Sequence, residues 1–422
     1  LDKKKLEDDS IEILDIFDTK VMACLTKLPS QIEEEFWSNY QESREAATDY
    51  YYNFAKNINY IREDRISKDI KWLYKSEYGD IDITINMSKP EKDPRAIARA
   101  RNMKSVDYPK CALCKENEGY PGRLNQASRG NHRLIELELA NEEWFLQYSP
   151  YVYYNEHCIV LKGDHEPMKI SDKTFRRLLE FVEIFPHYFI GSNAGLPIVG
   201  GSILSHDHFQ GGRYSFAMAE AQEENQLELE NGIFSSTLKW PMSVIRLKGK
   251  DIDELVDTSY QVLKGWEDYE DESVGILARS KEEPHNAITP ICRFRDGYYE
   301  VDLVLRNNRT TEERPYGLFH PREEYHNIKK ENIGLIEVLG LAVLPSRLKK
   351  EMEELKPYLV EDRLDELRSN ESLEKHYDFA LKIKADNEIN KDNVEKVIEE
   401  AIGQVFLNVL KDAGVFKETE EG

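Results

Sequence analysis

Apolar positions along the chain repeat with two different periods, and the switches between them lay out the expected elements. From Ile11 to about Tyr78 aromatic and apolar residues recur at helical spacing, first Phe36, Trp37 and Tyr40, then Tyr50, Tyr51, Phe54 and Ile58. Two or three helices packed as a layer on the remaining chain are expected there. Ile81-Asp-Ile-Thr-Ile-Asn-Met87 then alternates apolar with polar residues, the pattern of a half-buried strand, and Pro90 and Pro94 interrupt the chain after it. Short apolar runs over residues 134–139, 144–148, 151–154 and 157–161 read as successive strands. Ser171 and Asp172 form a helix start, and Phe175, Leu178, Leu179 and Val182 fall at i, i+3, i+4 and i+7, which predicts a helix to about Phe185. A further strand is expected to end in His206-Asp-His-Phe-Gln210.

The same order recurs downstream. Ser243-Val-Ile-Arg-Leu-Lys-Gly249 is similar to Cys158-Ile-Val-Leu-Lys-Gly163, an amphipathic helix is expected over residues 252–266, and strands over 286–294 and 298–306. This second copy lacks a His-x-His pair. An apolar segment runs from Ile333 to Leu344 before Pro345, and residues 349–374 read as a solvated, charge-rich helix face. In the last helix Val394, Val397, Ile398, Ala401, Val405 and Val409 share one face, with Gly414 at the C-cap. The expected class is α/β in the α+β sense, a duplicated half between helical ends. The boundaries fall at 1–80, 81–215, 216–345 and 346–422.

Charge narrows the function. With 57 Lys and Arg against 80 Asp and Glu, the net charge of −23 argues against nucleic-acid binding and against a polybasic membrane surface. No stretch approaches the ~18–20 apolar residues of a membrane span, and Leu-Asp-Lys-Lys-Lys leads into no signal-type core, so a soluble cytoplasmic protein is expected. The first residue is Leu, and residues before it are expected to be missing. Five cysteines in a chain of this length do not suggest a disulfide framework.

The densest chemistry lies between Phe189 and Gly212, where six glycines, two histidines, a glutamine and an asparagine occupy 24 residues. On a strand, His206, His208 and Gln210 project to one side. Asn193, Gly195, Gly200, Gly201 and Ser202 lie just upstream, with glycines that let backbone N–H groups approach a phosphate. A histidine beside a nucleotide phosphate can act as a nucleophile, whereas the bland alternatives are two metal ligands or two buried imidazoles. Cys111-Ala-Leu-Cys114 can grip a metal from a tight turn or serve as a redox pair.

These motifs, with Tyr148-Ser-Pro-Tyr-Val-Tyr-Tyr-Asn-Glu-His157, Phe185-Pro-His-Tyr-Phe189 and Gly340-Leu-Ala-Val-Leu-Pro345, resemble the histidine-triad superfamily with its third histidine replaced by glutamine. Within it they are similar to the class II bacterial galactose-1-phosphate uridylyltransferases, from about Ile81 to Phe416. The resemblance implies two histidine-triad-like halves with mainly antiparallel sheets. It also implies ping-pong transfer of UMP from UDP-glucose to galactose 1-phosphate in galactose metabolism. His208 would be the nucleophile and Gln210 the holder of the phosphoryl oxygens, and Asn193 and Ser202 would be phosphate contacts; Gly200 and Gly201 join them as loop positions open to a phosphate, and Arg213 as the arginine nearest the motif. Carried over from class I enzymes, structural zinc would be held by Cys111, Cys114, His165 and His206, with His157 the rival for the third place. The class I iron site has no counterpart before Pro345, so no iron is expected. The partners implied are UDP-glucose, UDP-galactose and hexose 1-phosphates, with a homodimer as the family's habit. Arg123, Arg129, Arg133, Arg293 and Arg295 are further candidates for the acceptor phosphate, and for Arg213 a salt bridge is the more usual role. Another nucleotidyl transferase, such as a diadenosine tetraphosphate phosphorylase, and a zinc-stabilised nucleotide sensor are the competing readings.

Overall fold

The structure, a computed structural model, describes residues 11–88, 108–123, 126–201 and 203–417. Pro90, Pro94 and Ser202 lie outside the described residues. The strands, in chain order, are β1 (Ile70–Ser76), β2 (Gly79–Ile85), β3 (Ile135–Leu139), β4 (Glu142–Tyr148), β5 (Cys158–Lys162), β6 (Phe189–Gly191) and β7 (His208–Gly212). The second half adds β8 (Glu223–Glu228), β9 (Phe234–Leu238), β10 (Val244–Gly249), a two-residue ladder of β11 (Arg279–Ser280) and β12 (Glu283–Pro284), β13 (Asn286–Arg295), β14 (Tyr298–Asn307) and β15 (Leu341–Leu344).

Ten of these strands form one sheet in the order β3-β4-β5-β7-β6-β13-β14-β10-β9-β8. The order is a palindrome of two five-stranded units joined where β6 pairs antiparallel with β13 through Gly191 and Ile291. The internal repeat is therefore a structural one, and the halves share a single sheet.

Alternation along the strands gives the sheet two different faces. One is covered by the Asp172–Ile184 and Ile252–Glu267 helices, whose Phe175, Leu178, Leu255 and Leu263 bury against Val160, Phe209, Leu247, Val301 and Leu303. Phe36 and Tyr51 of the N-terminal helices join the same core, and the Tyr148 hydroxyl donates to the Thr48 carbonyl at 3.0 Å. On the other face, Val244, Ile291 and Val304 of the second half are covered by the small β1-β2-β15 sheet and by the C-terminal Val394–Ala413 helix. The first half carries there the cluster of Leu113, Leu134 and Leu161, while Phe189 of β6 and Tyr154 join the larger core. His208 and Gln210 project from the strip between these two covers. Among the described residues no helix is long and apolar enough to cross a membrane.

Four expectations need correction. The N-terminal layer is not helical to residue 80, because Ile70–Ser76 is β1, paired along its length with β2. Residues 151–154 form no strand: the chain turns there, with Val152 at φ 40° and Glu156 at φ 52°, and the tyrosines pack around His157 instead. The histidine strand begins at His208 rather than ending there. The similar segments around residues 158–163 and 243–249 are offset by one residue on the sheet. Leu161 lies on the His208 face with Leu113, while Leu247 packs beneath the helices. By face, Arg246 answers Leu161, and its register partner Asp302 answers His208.

Candidate active site and metal centre

The two histidines separate because the chain bends between them. His206 precedes β7, in a segment tied down when Lys162 N–H donates to the Asp207 carbonyl at 3.0 Å and Asp207 N–H donates to the Glu166 carbonyl at 2.7 Å. Asp207 itself turns to the helix side, where Arg177 Nη1 reaches its carboxylate at 3.3 Å; burial still raises its pKa to about 6. With those residues fixed, the His206 ring turns back to Cys111 and Cys114.

Cys111, Cys114, His165 and His206 place one ligand atom each within 4.8 Å of one another. Cys111 Sγ lies 3.2 Å from His206 Nδ1, Cys114 Sγ lies 3.2 Å from His165 Nδ1, and the two sulfurs are 3.6 Å apart. Tetrahedral zinc with Zn–S bonds of about 2.3 Å has S–S edges of about 3.8 Å, so the donor set fits. Nε2–H of His206 donates to the Lys162 carbonyl at 2.8 Å, which leaves Nδ1 bare for a metal. Burial and the neighbouring sulfur push the Cys111 thiol up to about 11, a cost that a bound dication would reverse by stabilising thiolate. His157 is not part of this group.

His208 begins the regular strand. It is in register with Leu161 of β5, and Gln210, two residues on, is in register with Ile159 and with Gly191 of β6. Phe209 points the opposite way and stacks on Trp144 with centroids 4.7 Å apart. His208 Nδ1–H donates to the His206 carbonyl at 2.8 Å, so Nε2 carries the free lone pair. Burial lowers its pKa to about 4. Gln210 Oε1 is 3.3 Å from His157 Nε2. With that nitrogen protonated, His157 fixes Oε1 as the acceptor and leaves the amide N–H groups for a ligand. His157 is buried, lowered to about 4 by that burial, and its Nδ1 has no partner.

Upstream, the glycine-rich loop folds back beside β6. A Cβ on Gly200 would lie 2.4 Å from the Ala194 carbonyl oxygen, and one on Gly201 would lie 2.5 Å from Asn193 Nδ2, so neither position admits a side chain without movement. Ile198 (φ 72°) and Ile203 (φ 64°) hold the left-handed region, which is strained for β-branched residues by about 1–3 kcal/mol each. Asn193 is buried and its Oδ1 accepts from Leu335 N–H at 2.8 Å, so it ties this loop to the segment after β14.

The arginine candidates are engaged elsewhere. Arg213 lies just past β7 and pairs with Asp49 at 3.2 Å and Glu156 at 3.6 Å. Arg293 and Arg295 pair with Glu300, Arg133 donates to backbone carbonyls, Arg129 lies over Tyr60, and Arg123 donates to Gln126. Sequence reasoning misses the place of two residues on or beside the His208 face. It offers His157 only as a zinc ligand, although a position one residue before β5 could mark it. It passes over Arg306, although that residue follows Asp302 and Val304 at period two in a strand whose other face, Val301, Leu303 and Leu305, is wholly apolar.

Comparison with known proteins bears on this geometry. The family models for the N- and C-terminal domains of galactose-1-phosphate uridyl transferase match residues 1–167 and 180–381. The galactose-1-phosphate uridylyltransferase of Clostridium acetobutylicum is 52% identical over 427 residues, covering 100% of this chain and 85% of that one. That of Bacillus subtilis is 50% identical over 426 residues, covering 99% and 82%. Among solved structures, yeast Ap4A phosphorylase Apa2 aligns with a TM-score of 0.37 at 11% identity over 69% of this chain and 86% of that one, a likeness too slight to argue from.

Proposed function

The chain belongs to the galactose-1-phosphate uridylyltransferase family, and from that premise we infer how its residues carry UMP from a UDP-hexose to a hexose 1-phosphate. The observation that carries the reading is the His208 hydrogen bond. With Nδ1–H held on the His206 carbonyl, Nε2 is the atom free to attack the α-phosphorus of UDP-glucose. The N–P bond forms as the bond to the bridging oxygen breaks, and glucose 1-phosphate leaves with the electron pair. The imidazole becomes a cationic uridylyl adduct, whose charge the His206 carbonyl offsets through Nδ1–H. A phosphate oxygen of galactose 1-phosphate then attacks phosphorus from the vacated side, and Nε2 of His208 leaves.

Both the leaving group and the second nucleophile are ionised phosphate oxygens, so neither half needs a proton moved. An amide is therefore sufficient at position 210. Gln210, with Oε1 held by His157, offers its N–H groups to the non-bridging oxygens, where charge develops. Asn193 and the tight Gly200-Gly201 turn shape the wall beside the phosphates.

Cys111, Cys114, His165 and His206 would hold zinc, which would supply a structural cross-link. These four residues join the knuckle to the segment that sets the His206 carbonyl, and hence the His208 tautomer. A direct test is isotope exchange. Labelled glucose 1-phosphate should appear in UDP-glucose with no galactose 1-phosphate present, whereas a sequential mechanism gives no exchange.

A further inference from the structure

One guanidinium on the catalytic face of the sheet has no acid beside it. Arg306 of β14 is 1% exposed. Its Nη2 donates to the Ile333 carbonyl at 2.7 Å, its Nη1 reaches Thr289 Oγ1 at 3.4 Å, and its Nε has no partner. Among the described residues no carboxylate lies within salt-bridge distance of it. The other buried arginines of this face, Arg246 and Arg293, both grip Asp302.

Strand register puts Arg306 near the phosphate loop. Gln210 pairs with Gly191, Gly191 with Ile291, and Ile291 with Asp302, so Asp302, Val304 and Arg306 share the face of His208 and Gln210. The backbones of β7 and β14 are three strand spacings apart, roughly 14 Å, and Arg306 lies four residues along β14 from the row of Gln210, a gap that an extended arginine and a bound phosphate together narrow. Ile333, which Arg306 holds, is two residues before Leu335, whose N–H donates to Asn193 Oδ1. Glu337 is the carboxylate that acts on Arg306 from farther off, and it is already bonded to Lys329 at 2.8 Å and to Gly334 N–H at 3.1 Å. Exposed Glu331 reaches Lys329 at 3.8 Å from outside. Arg306, Lys329 and Glu337 thus leave one buried positive charge unanswered at the 333–335 segment, whose Leu335 N–H bonds Asn193. Burial lowers Arg306 to about 10.

A buried charge is ordinarily paired, and one left unpaired on a binding face awaits a ligand of opposite sign. We propose that Arg306 is an anion-positioning residue of the transferase site: its buried guanidinium draws the phosphates of both substrates toward Asn193 and fixes the 333–335 segment against that side chain. The proposal rests on the uridylyltransferase reading for the identity of the phosphates and deepens it. No catalytic contact with the reacting atoms is assigned to Arg306.

The test compares wild type with Arg306→Met, which keeps the length and removes the charge, and Arg306→Lys, which keeps the charge. Inorganic pyrophosphate is the probe, read by calorimetry and by the rise in Tm that it causes. Expected are binding at least tenfold weaker in the Met variant, substantial recovery in the Lys variant, and an unliganded Tm within a few degrees of wild type. In steady state, KM for hexose 1-phosphate should rise by a similar factor while kcat changes little. If the Met variant fails to fold, Arg306→Gln, which keeps an N–H for Ile333, takes its place with the same outcomes. A folded neutral variant that binds pyrophosphate like wild type, or a wild type that does not bind it, overturns the proposal. Pyrophosphate binding is read without turnover, so an inactive wild type would count against the uridylyltransferase reading and not against this one.

Discussion

His208 and Gln210 occupy one face of one strand, yet their chemical demands differ. As the proposed nucleophile, His208 needs a lone pair in a fixed direction, which a single hydrogen bond from Nδ1 supplies. The holder needs donors that do not titrate, because a group able to pass protons would also activate water. Replacing Gln210 with His should therefore raise hydrolysis of UDP-glucose without acceptor by about tenfold or more, toward the 10²–10⁴ range of general acid–base catalysis. An unchanged hydrolysis rate would show that the amide does not protect the intermediate. In the proposed mechanism His157 acts through Gln210. His157→Phe keeps a ring against Tyr154 and removes the donor that orients the amide. One hydrogen bond of this kind is worth about 1 kcal/mol, so the burst of glucose 1-phosphate on mixing with UDP-glucose should slow roughly fivefold. A burst at the wild-type rate would remove His157 from the mechanism. At this scale the sequence is informative about identity and poor about partners. His-x-His-x-Gln declares itself, but nothing in the spacing says that His157 faces Gln210 while His165, eight residues on, faces the cysteines. The five-residue span of β5 separates them, and only the fold shows which end of it meets the knuckle.

Among the elements, the bend before β7 carries the most consequence. Sequence alternation places His206 and His208 on the same side, but two backbone hydrogen bonds to Lys162 and Glu166 hold residues 206–207 out of the ladder. Side-chain periodicity cannot report such bonds, because they are made by backbone groups whose partners lie 41 to 45 residues away along the chain. The same blindness makes residues 151–154 look like a strand. Their aromatic alternation is real, but it serves a loop packed around His157. β3, β4, β5, β10, β13 and β14 are legible nearly to the residue, since each buries an apolar side under a helix or a core, whereas β6, only three residues long, and β8 and β9 are not read from the sequence; β8 is almost wholly exposed and has no apolar side to reveal it. If the knuckle fixes the bend, Cys114→Ser should lower zinc content to well under one per chain, reduce Tm, and reduce transfer more than UDP-glucose binding. Elemental analysis with parallel assays reads all three. Full activity in a zinc-free variant would separate the knuckle from the nucleophile.

Across the whole molecule, the palindromic sheet gives two equivalent positions, and the proposed mechanism uses the first-half one. Where the first half has His208, the second has Asp302, fully buried and held by Arg246 at 2.7 Å and Arg293 at 2.6 Å. Those two guanidinium groups outweigh burial and hold the carboxyl down to about 2. The duplication is visible in the sequence as a repeated order of elements, but not the one-residue offset between copies, because a Leu-Lys-Gly match ignores which face each residue takes. Buried neutral histidines also give the fold a pH signature. His132, fully buried against Tyr60 and bonded to Gln147 at 2.7 Å, is lowered to about 3 by burial, against about 6.5 when unfolded. Between those values only the unfolded chain binds the proton, so this contribution is complete above about pH 6.5 and is lost as pH falls toward 3. Wild type should therefore lose about 1.4 kcal/mol per pH unit more than His132→Gln between pH 6 and 4, measured by urea unfolding. Parallel curves would mean that His132 is protonated in the fold.

The central claim is that one imidazole, His208, carries the uridylyl group between substrates. Incubating the protein with UDP-glucose alone, quenching in base and mapping peptides by mass spectrometry tests it most directly. The account predicts one UMP adduct per chain on His208, base-stable and acid-labile, matched by one glucose 1-phosphate released and absent from His208→Asn. No adduct under these conditions, or an adduct on any other residue, would contradict it.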